Sequence, residues 1–214
     1  MKQYAIIWDM DGTLVDSYPC IVPAVKEFCS ELGVNYSEDY IRKYAMRYSV
    51  GQLLSELAPL LGKDPALLKE QYEIRNDIRI DGIKPMPFAK DLLAFLKEEG
   101  HLCFVYTHRA ASCHTILERL DMTGFFTEVV TSLDGFPKKP APDGILYLLE
   151  KYKLDPETSF YIGDRSLDVA SGNSAGIKSI LYIPEGSPVE SDGTESYVIH
   201  DLKEITEIIA ADKA

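Results

Sequence analysis

Short apolar runs recur along this 214-residue chain, and segments with helical periodicity lie between most of them. Apolar runs that lack alternating polar residues are typical of strands buried on both faces, as in parallel sheets. The runs lie at residues 4–8, 102–106, 129–131, 160–162, 180–183 and 197–199. Because strands and helices alternate from about residue 85 onward, the sequence predicts an α/β fold with a doubly wound parallel sheet.

Residues 18–84 interrupt this alternation, because they contain several helical patterns and no clear strand. The simplest interpretation is a small all-helical domain inserted after the first strand. We therefore predict a core formed by residues 1–17 and 85–214 and a helical cap at residues 18–84. Prolines 85 and 87 restrict the backbone where the chain would return to the core.

Composition limits the partners that this chain is expected to have. Its net charge of −12 argues against nucleic acid or an anionic membrane, since both are negatively charged. No apolar stretch approaches the roughly 20 residues that span a bilayer. The N-terminus lacks the apolar segment and cleavage site of a secretory signal, so we expect a cytoplasmic location. We expect a monomer or a weak homodimer.

Polar side chains follow the predicted strands at the points where the strands end. Asp9 and Asp11 follow the first strand, within the segment Asp9-Met10-Asp11-Gly12-Thr13. Thr107, His108 and Arg109 follow the second, Lys139 lies in the loop after the third, and Asp164 follows the fourth, with Asp168 four residues on. Ligands of parallel α/β sheets bind beyond the carboxyl ends of the strands, so these groups are expected to share one site.

This set of groups suits phosphoryl transfer. Carboxylates such as Asp9, Asp11 and Asp164 supply the hard oxygen ligands that Mg²⁺ prefers, and the cation can neutralise a substrate phosphate. Lys139 adds a positive charge and Thr107 a hydroxyl. A carboxylate can accept the phosphoryl group as an aspartyl-phosphate, while a second carboxylate transfers protons to the leaving alcohol and from water.

Four segments resemble the motifs of the haloacid dehalogenase (HAD) superfamily in type and order: residues 9–13, Thr107, residues 138–143 and residues 163–168. The helical insert resembles the cap of its phosphoglycolate-phosphatase-like branch. This resemblance implies a Rossmann-like core in which Asp9 is the nucleophile and Asp11 the general acid and base. It implies that Asp9, the carbonyl of Asp11 and Asp164 hold Mg²⁺. It also assigns phosphoryl binding to Thr107 and Lys139, since the family's lysine directly precedes a Pro-x-Pro segment.

Four further residues are of interest outside the assignments above. Asp168 is expected to support Lys139 or the waters of the metal. His108 stands where the family often has Asn or Ser, so we expect it to contact the substrate. Phe88 replaces a frequent glycine at the start of a core helix. In the cap, Arg47 is the basic residue most expected to reach the substrate.

The leading hypothesis is a Mg²⁺-dependent phosphatase for a small phosphorylated metabolite, such as phosphoglycolate or a sugar phosphate, with the cap selecting the leaving group. The first alternative is a phosphomutase of the β-phosphoglucomutase type, although those relatives tend to carry Glu-Asp where this chain has Gly163-Asp164. A haloacid dehalogenase would not need Asp11. A non-catalytic binding module would be expected to lose at least one of the motif residues.

Overall fold

The structure is a computed structural model that describes residues 2–77 and 79–212. Six strands form one parallel sheet in the order β5-β4-β1-β6-β7-β8. The strands are β1 Ala5–Trp8, β4 Leu102–Tyr106, β5 Glu128–Val130, β6 Ser159–Gly163, β7 Lys178–Tyr182 and β8 Tyr197–Ile199. The predicted doubly wound parallel sheet is therefore confirmed.

Helices flank this sheet and follow its strands along the chain. They are α5 Ala89–Glu98, α6 Ser112–Arg119, α7 Asp143–Tyr152, α8 Ser166–Ser174 and α9 Glu204–Asp212. The short strands β2, Val15–Asp16, and β3, Lys84–Pro85, lie where the chain leaves and re-enters this part. The backbone N–H of Met86 donates to the carbonyl of Leu14 at 2.9 Å, which joins the two crossing segments within the core.

The chain forms two compact units, one made of the residues up to Asp16 and from Pro85 onward, the other Ser17–Lys84. The second unit contains the four helices α1 Tyr18–Glu31, α2 Glu38–Arg47, α3 Val50–Leu60 and α4 Pro65–Asp77. These helices bury an apolar core of their own that includes Phe28, Ile41, Leu54, Leu57 and Leu68. The action of this unit as a cap stays a prediction.

Strand register places the site residues at one level of the sheet. Trp8, the last residue of β1, is paired with Val105 on one side and Ile162 on the other. The next residue, Asp9, donates its backbone N–H to the carbonyl of Ile162 at 2.8 Å. The carboxyl ends of β1, β4 and β6 thus converge at one edge.

Phe88 precedes α5 with a φ of 65°, in the left-handed region. This conformation explains why a glycine is frequent at this position in the resembled family, because a side chain there costs about 1–2 kcal/mol. None of the helices in the described residues is long and apolar enough to cross a membrane.

Gly144 in α7 is required by close packing. A Cβ at this position would lie 2.5 Å from the ring of Tyr106, which is itself buried. We expect Gly144→Ala to lower the free energy of unfolding by about 1–3 kcal/mol, as overpacked cores do. Urea denaturation measures this change. Gly124→Ala is the matched control, since a Cβ there meets nothing within 4 Å; equal effects of the two substitutions would contradict this account.

Candidate active site

A cluster of buried polar side chains lies at the carboxyl edge of the sheet. It contains the predicted site residues Asp9, Thr107, Lys139 and Asp164, and it also contains Asp168. Each of these residues is at most 5% exposed. Buried charges are costly unless they are paired, so the pairing within this cluster determines its chemistry.

Lys139 connects two of the carboxylates. Its Nζ lies 2.5 Å from Asp9 Oδ1 and 2.8 Å from Asp168 Oδ1, and its side chain has no solvent exposure. The ammonium also lies over the rings of Tyr106 and Tyr161, at 5.2 and 5.3 Å from their centroids. Burial alone would lower the pKa of Lys139, but the charges of Asp168 and Asp9 outweigh burial and raise it. The lysine is therefore a fixed positive charge beside Asp9.

The two carboxylates on this lysine differ in their pKa values. Burial raises the pKa of Asp9 to about 6, against the lowering effect of Lys139. Burial also acts to raise the pKa of Asp168, but Lys139 and Arg165 outweigh it and the net shift is downward. Tyr161 adds a hydroxyl hydrogen bond to Asp168 Oδ1 at 3.2 Å. Asp168 is thus the stable anion that holds the lysine.

Asp9, Asp164 and Asp168 each offer a carboxylate oxygen within 4.8 Å of the others, a grouping that could hold a metal ion. Asp9 Oδ2 is buried and has no hydrogen-bond partner among residues 2–77 and 79–212. Three carboxylates at this separation repel one another, and a divalent cation would relieve that repulsion. The donor set is all oxygen, which fits Mg²⁺.

Gly163 allows the close approach of Asp168. A Cβ on residue 163 would lie 2.3 Å from the Cβ and Cγ of Asp168. Asp168 Oδ2 also accepts from the backbone N–H of Arg165 at 3.2 Å, at the start of α8. A glutamate at position 163, as in the mutase alternative, would therefore require Asp168 to move.

Asp11 differs from the other predicted carboxylates, because its side chain pairs with Arg109. Arg109 donates from Nε to Asp11 Oδ2 at 3.1 Å and from Nη2 to Asp11 Oδ1 at 2.6 Å. The turn that carries Asp11 is closed by a hydrogen bond from the N–H of Gly12 to the carbonyl of Val15, at 2.8 Å. Gly12 has a φ of 83°, which favours glycine. The sequence predicted that Arg109 lies near the site, but it did not predict its pairing with Asp11.

Thr107 and His108 follow β4 and contact neighbouring backbone groups. Thr107 Oγ1 accepts from the N–H of Arg109 at 3.1 Å. His108 Nε2 accepts from the N–H of Lys139 at 2.8 Å, so the ring supports the loop that carries the lysine. Burial, followed by the charge of Lys139, lowers the pKa of His108 to about 3, which keeps the ring a neutral acceptor. Substrate contact by His108 stays a prediction, as does that by Arg47, which is exposed in the last turn of α2.

A model of the haloacid dehalogenase-like hydrolase family matches residues 6–182. A phosphoglycolate phosphatase from Aquifex aeolicus is 30% identical to this chain over 182 residues, which cover 82% of this chain and 83% of the relative. A putative pyrophosphatase, PpaX, from Caldanaerobacter subterraneus is 28% identical over 215 residues, which cover 98% of this chain and 96% of the relative.

Solved structures show the same fold. A putative phosphoglycolate phosphatase from Lactobacillus plantarum superposes with a TM-score of 0.83 and 20% identity, over 97% of this chain and 100% of that chain. A predicted phosphoglycolate phosphatase from Haemophilus somnus gives a TM-score of 0.82 and 21% identity, over 97% and 98% of the two chains. The solved structures thus confirm the fold, and the family model and the relative from Aquifex aeolicus confirm the resemblance and the expectation of a hydrolase.

The Lys139–Asp168 pair predicts a large stability effect. We expect Asp168→Asn to lower the free energy of unfolding by about 3 kcal/mol at pH 7, because one partner of a buried ion pair is removed. The pKa of Asp168 is lower in the folded than in the unfolded chain. Its ionised form therefore stabilises the fold at pH values above the pKa of the unfolded chain, and this stabilisation is lost as the pH falls through the pKa of the folded chain. The difference in free energy of unfolding between the wild-type chain and Asp168→Asn should therefore shrink below about pH 4.

Urea denaturation between pH 3 and pH 8 measures this difference. Lys43→Gln is the control, since it removes an exposed ion pair with Asp39 and should change stability little. A pH-independent deficit, or one no larger than that of the control, would show that the buried pair does not contribute as argued.

Proposed function

Because this chain belongs to the haloacid dehalogenase-like hydrolase family, we propose that it hydrolyses phosphate monoesters of small metabolites through an aspartyl-phosphate on Asp9. The observation that carries this proposal is the state of the Asp9 carboxylate. One oxygen is bound by Lys139, and the other is buried without a hydrogen-bond partner among the described residues. The carboxylate also belongs to the acidic grouping with Asp164. A carboxylate has two oxygens, so Asp9 could supply one for attack on phosphorus and one for metal binding.

Asp9 and Asp164, with the backbone carbonyl of Asp11, would hold a Mg²⁺ ion, which supplies charge neutralisation for the transferring phosphoryl group. Lys139 and Thr107 would bind the phosphoryl oxygens. Asp168 would keep Lys139 in place through their 2.8 Å contact. Because phosphoryl transfer depends on positioning and charge neutralisation, a rigid buried cluster of this kind suits it.

The reaction would have two steps. In the first, an Asp9 oxygen attacks phosphorus, the bond to the leaving oxygen breaks, and Asp11 gives its proton to that oxygen. In the second, Asp11 takes a proton from water, the water oxygen attacks phosphorus, and the bond to Asp9 breaks. Inorganic phosphate and an alcohol are the products, and both aspartates return to their starting states.

The substrate class follows from the relatives and from Gly163. Relatives named as a phosphoglycolate phosphatase and a putative pyrophosphatase favour a small phosphorylated substrate for this chain. The mutase alternative tends to have glutamate where this chain has Gly163, and a Cβ at that position would lie 2.3 Å from Asp168. This difference favours hydrolysis. The cytoplasmic location and the monomeric or weakly dimeric state stay predictions.

We expect Asp9→Asn to reduce phosphatase turnover at least about 10³-fold, because the amide cannot act as the nucleophile. Release of phosphate from p-nitrophenyl phosphate and from a panel of metabolite phosphates measures the change. The control is Asp91→Asn, which alters an exposed aspartate in the first turn of α5. Substantial turnover by folded Asp9→Asn would rule out the covalent route. Absence of wild-type turnover on all substrates would favour a non-catalytic module.

Removal of divalent metal with EDTA should abolish turnover, and Mg²⁺ should restore it, because the carboxylates otherwise repel the substrate phosphate. Binding gives an independent readout. Mg²⁺ should raise the unfolding temperature of the wild-type chain, since a ligand that binds only the folded state stabilises it. Asp164→Asn should lose most of that shift. An EDTA-resistant rate, or an equal shift in the variant, would contradict the proposed metal role.

A further inference from the structure

Arg109 is a buried cation, and the two-step reaction proposed above does not use it. Its side chain is 5% exposed, whereas that of its partner Asp11 is 23% exposed. The guanidinium binds both carboxylate oxygens through Nε and Nη2, at 3.1 and 2.6 Å. Two parallel hydrogen bonds of this kind fix the plane of a carboxylate as well as its position.

Arg109 is itself held at three points. Its backbone N–H donates to Thr107 Oγ1 at 3.1 Å, and its carbonyl accepts from the N–H of Ser132 at 3.1 Å. Its Nη1 lies 3.4 Å from the hydroxyl oxygen of Ser112, at the start of α6. The loop after β4 therefore offers Asp11 a support whose backbone and side chain are both restrained.

The arrangement gives the two aspartates of the first motif different partners. Asp9 is bound by Lys139, and Asp11 is bound by Arg109. A partly exposed aspartate at a turn would otherwise occupy several rotamers, and only some of them could meet a leaving oxygen. One arginine thus determines where the second carboxylate points.

We propose that Arg109 is a positioning residue that orients the Asp11 side chain for its proton exchange, first with the leaving oxygen and then with water. This inference rests on the proposed phosphatase function. Arg109 exchanges no proton in the reaction, because the proton passes from Asp11 to the leaving oxygen as the bond to phosphorus breaks. A charge alone does not reproduce this role, since lysine has no planar fork with which to hold both oxygens.

Two esters with different leaving groups distinguish loss of Asp11 positioning from loss of a binding contact. p-Nitrophenolate is a stable anion that departs without a proton, whereas phenolate and alkoxides depart far more readily when protonated. Loss of Asp11 positioning should therefore lower kcat/KM for phenyl phosphate much more than for p-nitrophenyl phosphate. Loss of a binding contact, or a general structural defect, should lower both by the same factor. The ratio of the two kcat/KM values is the readout.

We expect Arg109→Gln to lower this ratio about 10- to 100-fold, because a positioned acid contributes about 10²–10⁴-fold and the variant keeps Asp11 itself. Arg109→Lys should lower it less. Arg119→Gln, an exposed arginine in the last turn of α6, is the matched control and should keep the wild-type ratio. Circular dichroism and the unfolding midpoint report whether each variant is folded.

An unchanged ratio in folded Arg109→Gln would overturn the inference while leaving the phosphatase function intact. If that variant does not fold, Arg109→Lys decides by the same criterion, and an unchanged ratio there overturns the inference. Failure of the wild-type chain to hydrolyse both esters and every phosphate of the metabolite panel would overturn the proposed function and this inference together. A lowered ratio that Arg109→Lys restores in part would support the positioning role.

Discussion

The buried ion pairs of Lys139 are the interaction on which the rest of the site depends. A lysine without solvent exposure is tolerated because Asp9 and Asp168 lie within 2.8 Å of its Nζ. Its location is set by the loop between β5 and α7, and that of Asp168 by the first turn of α8. The lysine thus joins three distant parts of the chain at the end of β1.

This pairing also gives the carboxylates of the site different environments. Asp168 accepts hydrogen bonds from Lys139, Arg165 and Tyr161, so its carboxylate holds Lys139 in place. Asp9 shares the lysine, but its second oxygen is buried without a hydrogen-bond partner among the described residues, as the proposed function requires. Asp11 is bound to Arg109 and stands apart from both. Three aspartates within one site therefore have three environments, and environment is what separates the roles of chemically identical groups.

Much of the core could be predicted from the sequence. Buried parallel strands appear as unbroken apolar runs, and the carboxyl ends of such strands must meet at one edge, so Asp9, Thr107 and Asp164 could be placed together. Lys139 was assigned through the resemblance, because the family's lysine directly precedes a Pro-x-Pro segment. Side-chain direction was not predictable in the same way. The contact between Arg109 and Asp11 joins residues 98 positions apart and depends on rotamers, and the contact of His108 with the N–H of Lys139 depends on loop conformation.

The stereochemistry of hydrolysis at phosphorus tests the central claim most directly, namely that Asp9 is esterified during turnover. A phosphorothioate analogue of a substrate ester, made chiral at phosphorus with ¹⁶O and ¹⁸O, would be hydrolysed in H₂¹⁷O, and the configuration of the chiral thiophosphate product determined. Two successive in-line displacements, first by Asp9 and then by the acceptor, predict overall retention of configuration. Overall inversion would mean that the acceptor attacks the substrate directly, and it would contradict the covalent role of Asp9.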